Sequence, residues 1–194
     1  MGRKLEFCRD KALHTAMESF WAQGYEHTSM RDLASKLGLH LGSVYNALGD
    51  KEKVFEAALK LHYQHHIVPE LDTLVHAEDP LQAMDDLMVS VIAQCEAAPE
   101  SPGCFFVNSL LEINSINDNV SSLVQEYMMK METSFSTCLQ NAQRLGQVPA
   151  ARDAGSLARF YMGVLFSLRT MGKLNASSAH LQDIRQCTLR ALKA

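Results

Sequence analysis

Between Lys60 and Lys130 the chain has no lysine or arginine at all, although eleven acids fall in that interval: Glu70, Asp72, Glu78, Asp79, Asp85, Asp86, Glu96, Glu100, Glu112, Asp118 and Glu126. Such a stretch repels phosphate and favours cationic or neutral ligands. The five cysteines of the chain, at positions 8, 95, 104, 138 and 187, are odd in number and contain no C-x-x-C. That excludes a disulfide framework and a zinc module and leaves reduced thiols. No apolar run approaches the ~18 residues of a membrane span. The charged start (Arg3, Lys4, Glu6, Arg9, Asp10, Lys11) has no signal-peptide core after it. A cytoplasmic protein without a membrane partner is expected. No β-alternating run and no internal repeat occur. A Walker loop, G-x-S-x-G, H-E-x-x-H and a dinucleotide fingerprint are all missing, and the scattered Cys and His compose no nucleophile-base pair. The chain is expected not to be an enzyme and to need no cofactor or metal.

What is present is an ordinary soluble composition, 47% hydrophobic and 21% charged over 194 residues. Length allows one domain or a small domain fused to a larger one. The most informative stretch is residues 28–51, TSMRDLASKLGLHLGSVYNALGDK. Ala34 is small enough for close helix crossing, and Gly38, four residues on, can take the positive φ of a tight turn. Leu33, Leu37, Leu39 and Val44 fall at inward offsets, while Arg31, His40, Ser43, Tyr45 and Asn46 fall outward. Thr28 or Ser29 caps the first helix, Gly49 ends the second, and Asp50 caps the next. This is the spacing of a helix-turn-helix, which points to DNA. Charge is polarised in the same sense. Residues 1–60 hold nine Lys/Arg against eight Asp/Glu and the remainder nine against fourteen, within a net charge of −4.

Together, Gly24-Tyr25, the run 28–34, Gly38, Gly42-Ser43-Val44-Tyr45 and Gly49-Asp50-Lys51-Glu52 resemble the N-terminal domain of TetR/AcrR-type transcriptional regulators over roughly residues 10 to 60. Several separate motifs in order make the likeness specific. It implies an all-α protein of about nine helices. A three-helix DNA-binding domain over residues 1–50 would be followed by a larger helical ligand-binding and dimerisation domain over 51–194. The implied function is a repressor that binds a pseudo-palindromic operator in double-stranded DNA as a homodimer and is released by a small-molecule effector. Many relatives carry Lys where this chain has Leu41, and often Ser or Thr at His40, so the operator is expected to differ.

Chemistry assigns the contacts. Asn46 can pair bidentately with adenine, and Ser43 and Tyr45 can reach phosphate or a thymine methyl. His40, Leu41 and Gly42 open the recognition helix, and Lys51 adds charge and exposed N–H groups for a phosphate. Thr28, Ser29 and Arg31 hold the other flank, and Arg3 and Lys4 form an N-terminal arm.

Past residue 51 the periodicity predicts helix nearly throughout. A connecting helix runs to about residue 66, with Pro69 marking its bend or end. Another starts at Pro80, and Pro102 lies in the first turn of the next, capped by Ser101. The longest stripe runs from Val120 through Val124, Tyr127, Met131, Phe135, Cys138, Leu139 and Ala142 to Leu145. Two final helices, about 157–171 and 181–192, follow. The first of these is apolar nearly all round and must be covered on every side. The resemblance implies that the last two helices pair with their copies across a two-fold axis.

Residues 101–108, SPGCFFVN, resemble a Gly-Cys-x-x-x-Asn helix start that borders the ligand cavity in one branch of the family. The implied lining is Cys104, Phe105, Asn108, Leu111 and Glu112, joined by Met88, Ile92, Tyr127, Met131, Phe160, Val164 and Phe166. Any core contains most of these residue types, and Asn108 and Glu112 are the more discriminating pair. Near position N3 of its helix, the Cys104 thiolate would be favoured by the helix dipole, which opens the alternative of a redox or electrophile sensor. His62 and His66 stand at i, i+4 and could share a metal, although exposed histidines on a surface helix are the commoner case. From another class, a helical small-molecule-binding protein, an enzyme or an adaptor without DNA binding would leave the outward polar set unexplained.

Overall fold

The computed structural model describes residues 9–97, 103–112 and 118–194. Among them there is no strand. The first three helices are α1 (Arg9–Gln23), α2 (Met30–Leu37) and α3 (Leu41–Leu48). Local chemistry sets each boundary. Ser29 caps α2 in a reciprocal box: its hydroxyl accepts the Asp32 N–H at 3.2 Å, and the Asp32 carboxylate accepts the Ser29 N–H at 2.9 Å. Gly38 ends α2 at φ 63°, and the Leu39 N–H returns to the Ala34 carbonyl at 3.0 Å. Phe20 of α1, Leu33 and Ala34 of α2, and Val44 of α3 are buried where the three meet.

After Asp50, whose carboxylate accepts the Lys53 N–H at 2.9 Å, α4 covers Lys51–His62. It runs through a π-turn at Tyr63–Ile67 straight into α5 (Val68–Val75). Of the bend or end expected at Pro69, the end therefore does not occur. The Val68 N–H bonds back to the Tyr63 carbonyl, so the register has already slipped by one residue when the proline enters at the first turn of α5. Counting this run as one, the described residues form nine helical rods.

The body continues with α6 (Pro80–Ala97), α7 (Phe105–Leu111), α8 (Asp118–Arg144), α9 (Ala154–Lys173) and α10 (Ser178–Lys193). The α8 stripe packs on α9 and α5 with Val124, Phe135, Cys138 and Leu139 fully buried. Leu145, expected at its end, lies past the helix and is exposed. Arg185 of α10 makes a two-pronged ion pair with the largely buried carboxylate of Asp85 on α6. In the single chain α9 is covered on one side only: Phe160 is 44% exposed, and Gly163, Ser167 and Leu174 continue the bare stripe at helical spacing.

Aromatic packing and a carboxylate help to join the first three helices to the body. An aromatic series crosses the junction: Phe20 and Tyr25 pack on Phe55 of α4, Phe55 on Phe105 of α7 at 5.7 Å, and Phe105 on His62 at 5.4 Å. Beside it, the Glu112 carboxylate after α7 accepts the Tyr25 N–H at 2.7 Å and the Glu26 N–H at 3.3 Å, just past α1. Gly24, at φ 82°, leaves the room this carboxylate occupies, since a Cβ there would collide with it.

Candidate functional site

The outer surface of α2 and α3 is the first candidate. Val44 and Leu48 fill the inner side of α3, which leaves Gly42, Ser43, Tyr45 and Asn46 exposed on the other. His40 is the exposed N-cap residue of α3, Leu41 is half-buried, and Arg31 stands out from α2. Lys51 is half-buried beside them, its Nζ 4.2 Å from the centre of the Tyr25 ring and 3.4 Å from the Glu26 carbonyl. Thr28 does not join this face. It is 0% exposed, and its hydroxyl donates to the Gly24 carbonyl at 2.8 Å, so it closes the α1–α2 corner. Ser29 is exposed but is committed to the Asp32 capping box. Arg3 and Lys4, and the cap expected at Ser101, lie outside the described residues.

The second candidate is a cavity of about 410 Å³ between α1, the α4–α5 run, α6, the start of α7 and the end of α9. It is lined by Trp21, His62, His66, Ile67, Glu70, Gln94, Cys95, Ala97, Gly103, Cys104, Arg169, Gly172 and Lys173. The Trp21 indole N–H is anchored on the Gly103 carbonyl at 2.7 Å, and its ring meets His62 at 5.3 Å. His62 is 3% exposed, and neither ring nitrogen has a hydrogen-bond partner among the described residues. Leaving such a group unpaired costs roughly 1–3 kcal/mol. Burial, with His66 and Arg169 nearby, pushes the His62 pKa down to about 3, so the ring is neutral at ordinary pH. Burial also raises the Glu70 carboxyl, against the pull of Arg169, whose guanidinium lies 3.9 Å away.

Of the expected ligand-site residues, Cys104 alone lines this cavity. It is buried and occupies the N-cap of α7 rather than N3, because the helix begins at Phe105. Asn108 borders the cavity through the Lys173 Nζ, which approaches its amide oxygen at 3.4 Å. Met131 and Phe166 reach only a narrow adjoining space of about 30 Å³, shared with Cys104, Ile67 and Glu70. The rest stand elsewhere. Phe105 belongs to the aromatic series at the junction, Met88 and Ile92 are solid core, and Tyr127 stacks on Tyr63 at 3.8 Å. Leu111 is 76% exposed, Phe160 and half-buried Val164 lie on the outer part of α9, and Glu112 holds the Tyr25 N–H.

His62 also departs from expectation, being buried in place of exposed. Its ring lies 4.8 Å from that of His66, and among the described residues no group of three or more His, Cys, Asp or Glu converges on a metal-sized point. Sequence reasoning passed over Trp21, His62, Glu70, Arg169 and Lys173 as cavity residues. Two signals were available: Trp21 is the one tryptophan of the chain, and Arg169 and Lys173 are cations one turn apart on a largely apolar helix.

Comparison with known proteins agrees with this layout. Residues 12–58 match the family described as bacterial regulatory proteins, tetR family, and residues 80–188 match the tetracyclin repressor-like C-terminal domain. The HTH-type transcriptional repressor ComR of Escherichia coli (strain K12) is 27% identical over 190 residues, spanning 97% of this chain and 90% of its own. The uncharacterized HTH-type transcriptional regulator YezE of Bacillus subtilis (strain 168) is 27% identical over 193 residues, 99% of this chain and 100% of its own. Among solved structures, a cysteine-substituted form of the TetR family transcriptional regulator CifR, complexed with 26-bp double-strand operator DNA, superposes with a TM-score of 0.83 at 26% identity. That match covers 98% of this chain and 100% of the other. The reduced form of Escherichia coli NemR, at 16% identity and a TM-score of 0.83 over 93% and 94% of the two chains, shares the fold. Among the described residues no helix is long and apolar enough to cross a membrane. With both of its parts matched in order, the chain belongs to the TetR family and is a DNA-binding transcriptional regulator.

Proposed function

We propose that the protein is a cytoplasmic homodimeric repressor whose operator is a pseudo-palindrome and whose grip on DNA is released by a small molecule entering the body. The observation that carries the reading is α3. One side of this short helix is packed into the fold, and the other presents Ser43, Tyr45 and Asn46 to solvent beside Arg31 and His40. In this reading Asn46 recognises adenine, Ser43 and Tyr45 reach phosphate or a thymine methyl, and Arg31, Ser29 and Lys51 hold the flanking backbone. Leu41 and Gly42 let the start of α3 approach the groove closely. Residues 1–50 act as the reading head and 51–194 as the sensing and pairing body.

The bare α9 stripe at Phe160, Gly163, Ser167 and Leu174 supports pairing, because small residues between two large ones allow close helix approach and leave apolar surface to be covered. Two copies joined through α9 and α10 would present two α3 helices about one DNA turn apart, ~34 Å, or a multiple of it. The cavity supports release. It is lined by Trp21 of α1 and His62 of α4, so an occupant bears directly on the two helices that carry the reading head. The Glu112 contact with Tyr25 ties α7 to the same movement.

Footprinting of the purified chain on duplex DNA from beside its own gene tests the reading, with sedimentation of the complex alongside. The expected result is a protected pseudo-palindrome bound by pairs of chains. Protection without repeated half-sites, or complexes containing a single chain, would contradict it.

A further inference from the structure

We propose that the cavity takes a small organic acid with a flat apolar body, its carboxylate held by Arg169 and Lys173 and its acid end or a hydroxyl bonded to His62. This deepens the effector-site reading above and rests on it. The cations come first. The acidic stretch between Lys60 and Lys130 supplies none, yet α9 brings Arg169 and Lys173 to the wall of a cavity where, among the described residues, a buried imidazole stands without a hydrogen-bond partner. Among the described residues neither cation is saturated by its neighbours. Arg169 has Glu70 at 3.9 Å and the Gln94 amide oxygen at 3.4 Å, and Lys173 has the Asn108 oxygen at 3.4 Å. Short charge-assisted bonds lie nearer ~2.7–2.9 Å. Among the described lining residues Glu70 offsets one positive charge, so they attract one negative charge and repel an ammonium.

His62 fixes the second requirement. A neutral imidazole offers one N–H donor and one acceptor, and both are buried in the wall just behind the cavity surface without a partner among the described residues, so a bound group engages them once the ring turns toward the cavity. A carboxylate oxygen accepts from the first, and a hydroxyl serves either. Trp21, Ile67 and the thiols of Cys95 and Cys104 supply apolar wall for the remainder, in a volume that holds a two-ring body.

The single tryptophan provides the readout, since Trp21 lines the cavity and no other indole contributes to emission. The full chain is titrated with three probes of one shape: 2-naphthoate, 2-naphthamide and 2-naphthylmethylammonium. Trp21 emission is followed with correction for absorption by the naphthalene ring and for energy transfer to it, and calorimetry runs in parallel. The expected order is naphthoate at least tenfold tighter than the amide, with the ammonium weakest. Arg169→Gln should erase that anion preference while amide binding persists. Lys173→Gln, an exposed position on α9, should reduce the preference several-fold and decides the matter if Arg169→Gln fails to fold. Equal or tighter binding of the amide or ammonium would overturn the acid class and leave the effector site standing. No response to any probe at millimolar concentration would overturn both.

Discussion

On α3 the polar side chains Ser43, Tyr45 and Asn46 come from adjoining positions of one helix and face outward, whereas the cavity draws Trp21, His62, Glu70 and Arg169 from four elements and turns them inward. The outward set touches little of its own protein. Under the proposed reading, a change there should alter what is recognised and leave the fold alone. The inward set sits among packed helices, where an unpaired ring or an uncovered charge is costly. A change there alters both stability and the link to α1 and α4. The DNA-reading face and the proposed effector cavity thereby differ in setting.

The largest effect that would sharpen this contrast is expected at Arg185→Ala. It strips the Asp85 carboxylate of its two-pronged partner and should cost about 3 kcal/mol of folding stability, read by denaturant unfolding. Sequence preference on DNA should be unchanged in whatever remains folded. Next comes the acid limb of stability at His62. Its pKa near 3 in the fold lies below the ordinary 6.5, so between those values the unfolded chain binds the extra proton and stability falls as pH falls. Above about pH 7 little is lost, and at pH 4.5 the loss is roughly 2–3 kcal/mol. His62→Gln should remove that part of the slope in unfolding measured from pH 7 to 4.5. Glu70, raised by burial, contributes the opposite trend in both proteins and cancels in the comparison. A slope unchanged by His62→Gln would break the claim that the ring is held neutral inside.

Smaller effects belong to the head. Asn46→Ala should lose about 1.5 kcal/mol of discrimination, roughly tenfold, at one base position in each half-site, with no change in melting temperature. Lys51→Ala should weaken binding on every sequence alike and lower the slope of log affinity against log salt by about one. Should Asn46→Ala destabilise the fold, or Lys51→Ala act on one sequence only, the separation of the two surfaces would fail.

Much of the head was legible because its signals are local. Ser29 with Asp32, Gly38 and Asp50 each fix a boundary through a bond to a residue at most four positions away. Thr28 shows where locality ends: its type suits a phosphate contact, but the corner after Gly24 rolls it inward onto a carbonyl. The body helices were equally readable from their apolar stripes, and the π-turn ahead of Pro69 was not, since a one-residue slip leaves no mark in composition. Cavity residues were the hardest. Leu111 and Phe160 fit an apolar lining by type yet fall on outer surfaces, while Trp21 and Arg169 meet only because α1 and α9, distant in sequence, pack around the same space.

The central claim is that the outer face of α3 reads DNA, and it is tested most directly by the ratio of affinities for duplex DNA from beside the protein's own gene and for an unrelated duplex, measured across stepped salt. The weakly basic head and acidic body predict that non-selective binding vanishes first, so the ratio stays large as total affinity falls. Absence of binding at low salt, or a ratio near one throughout, would contradict the account.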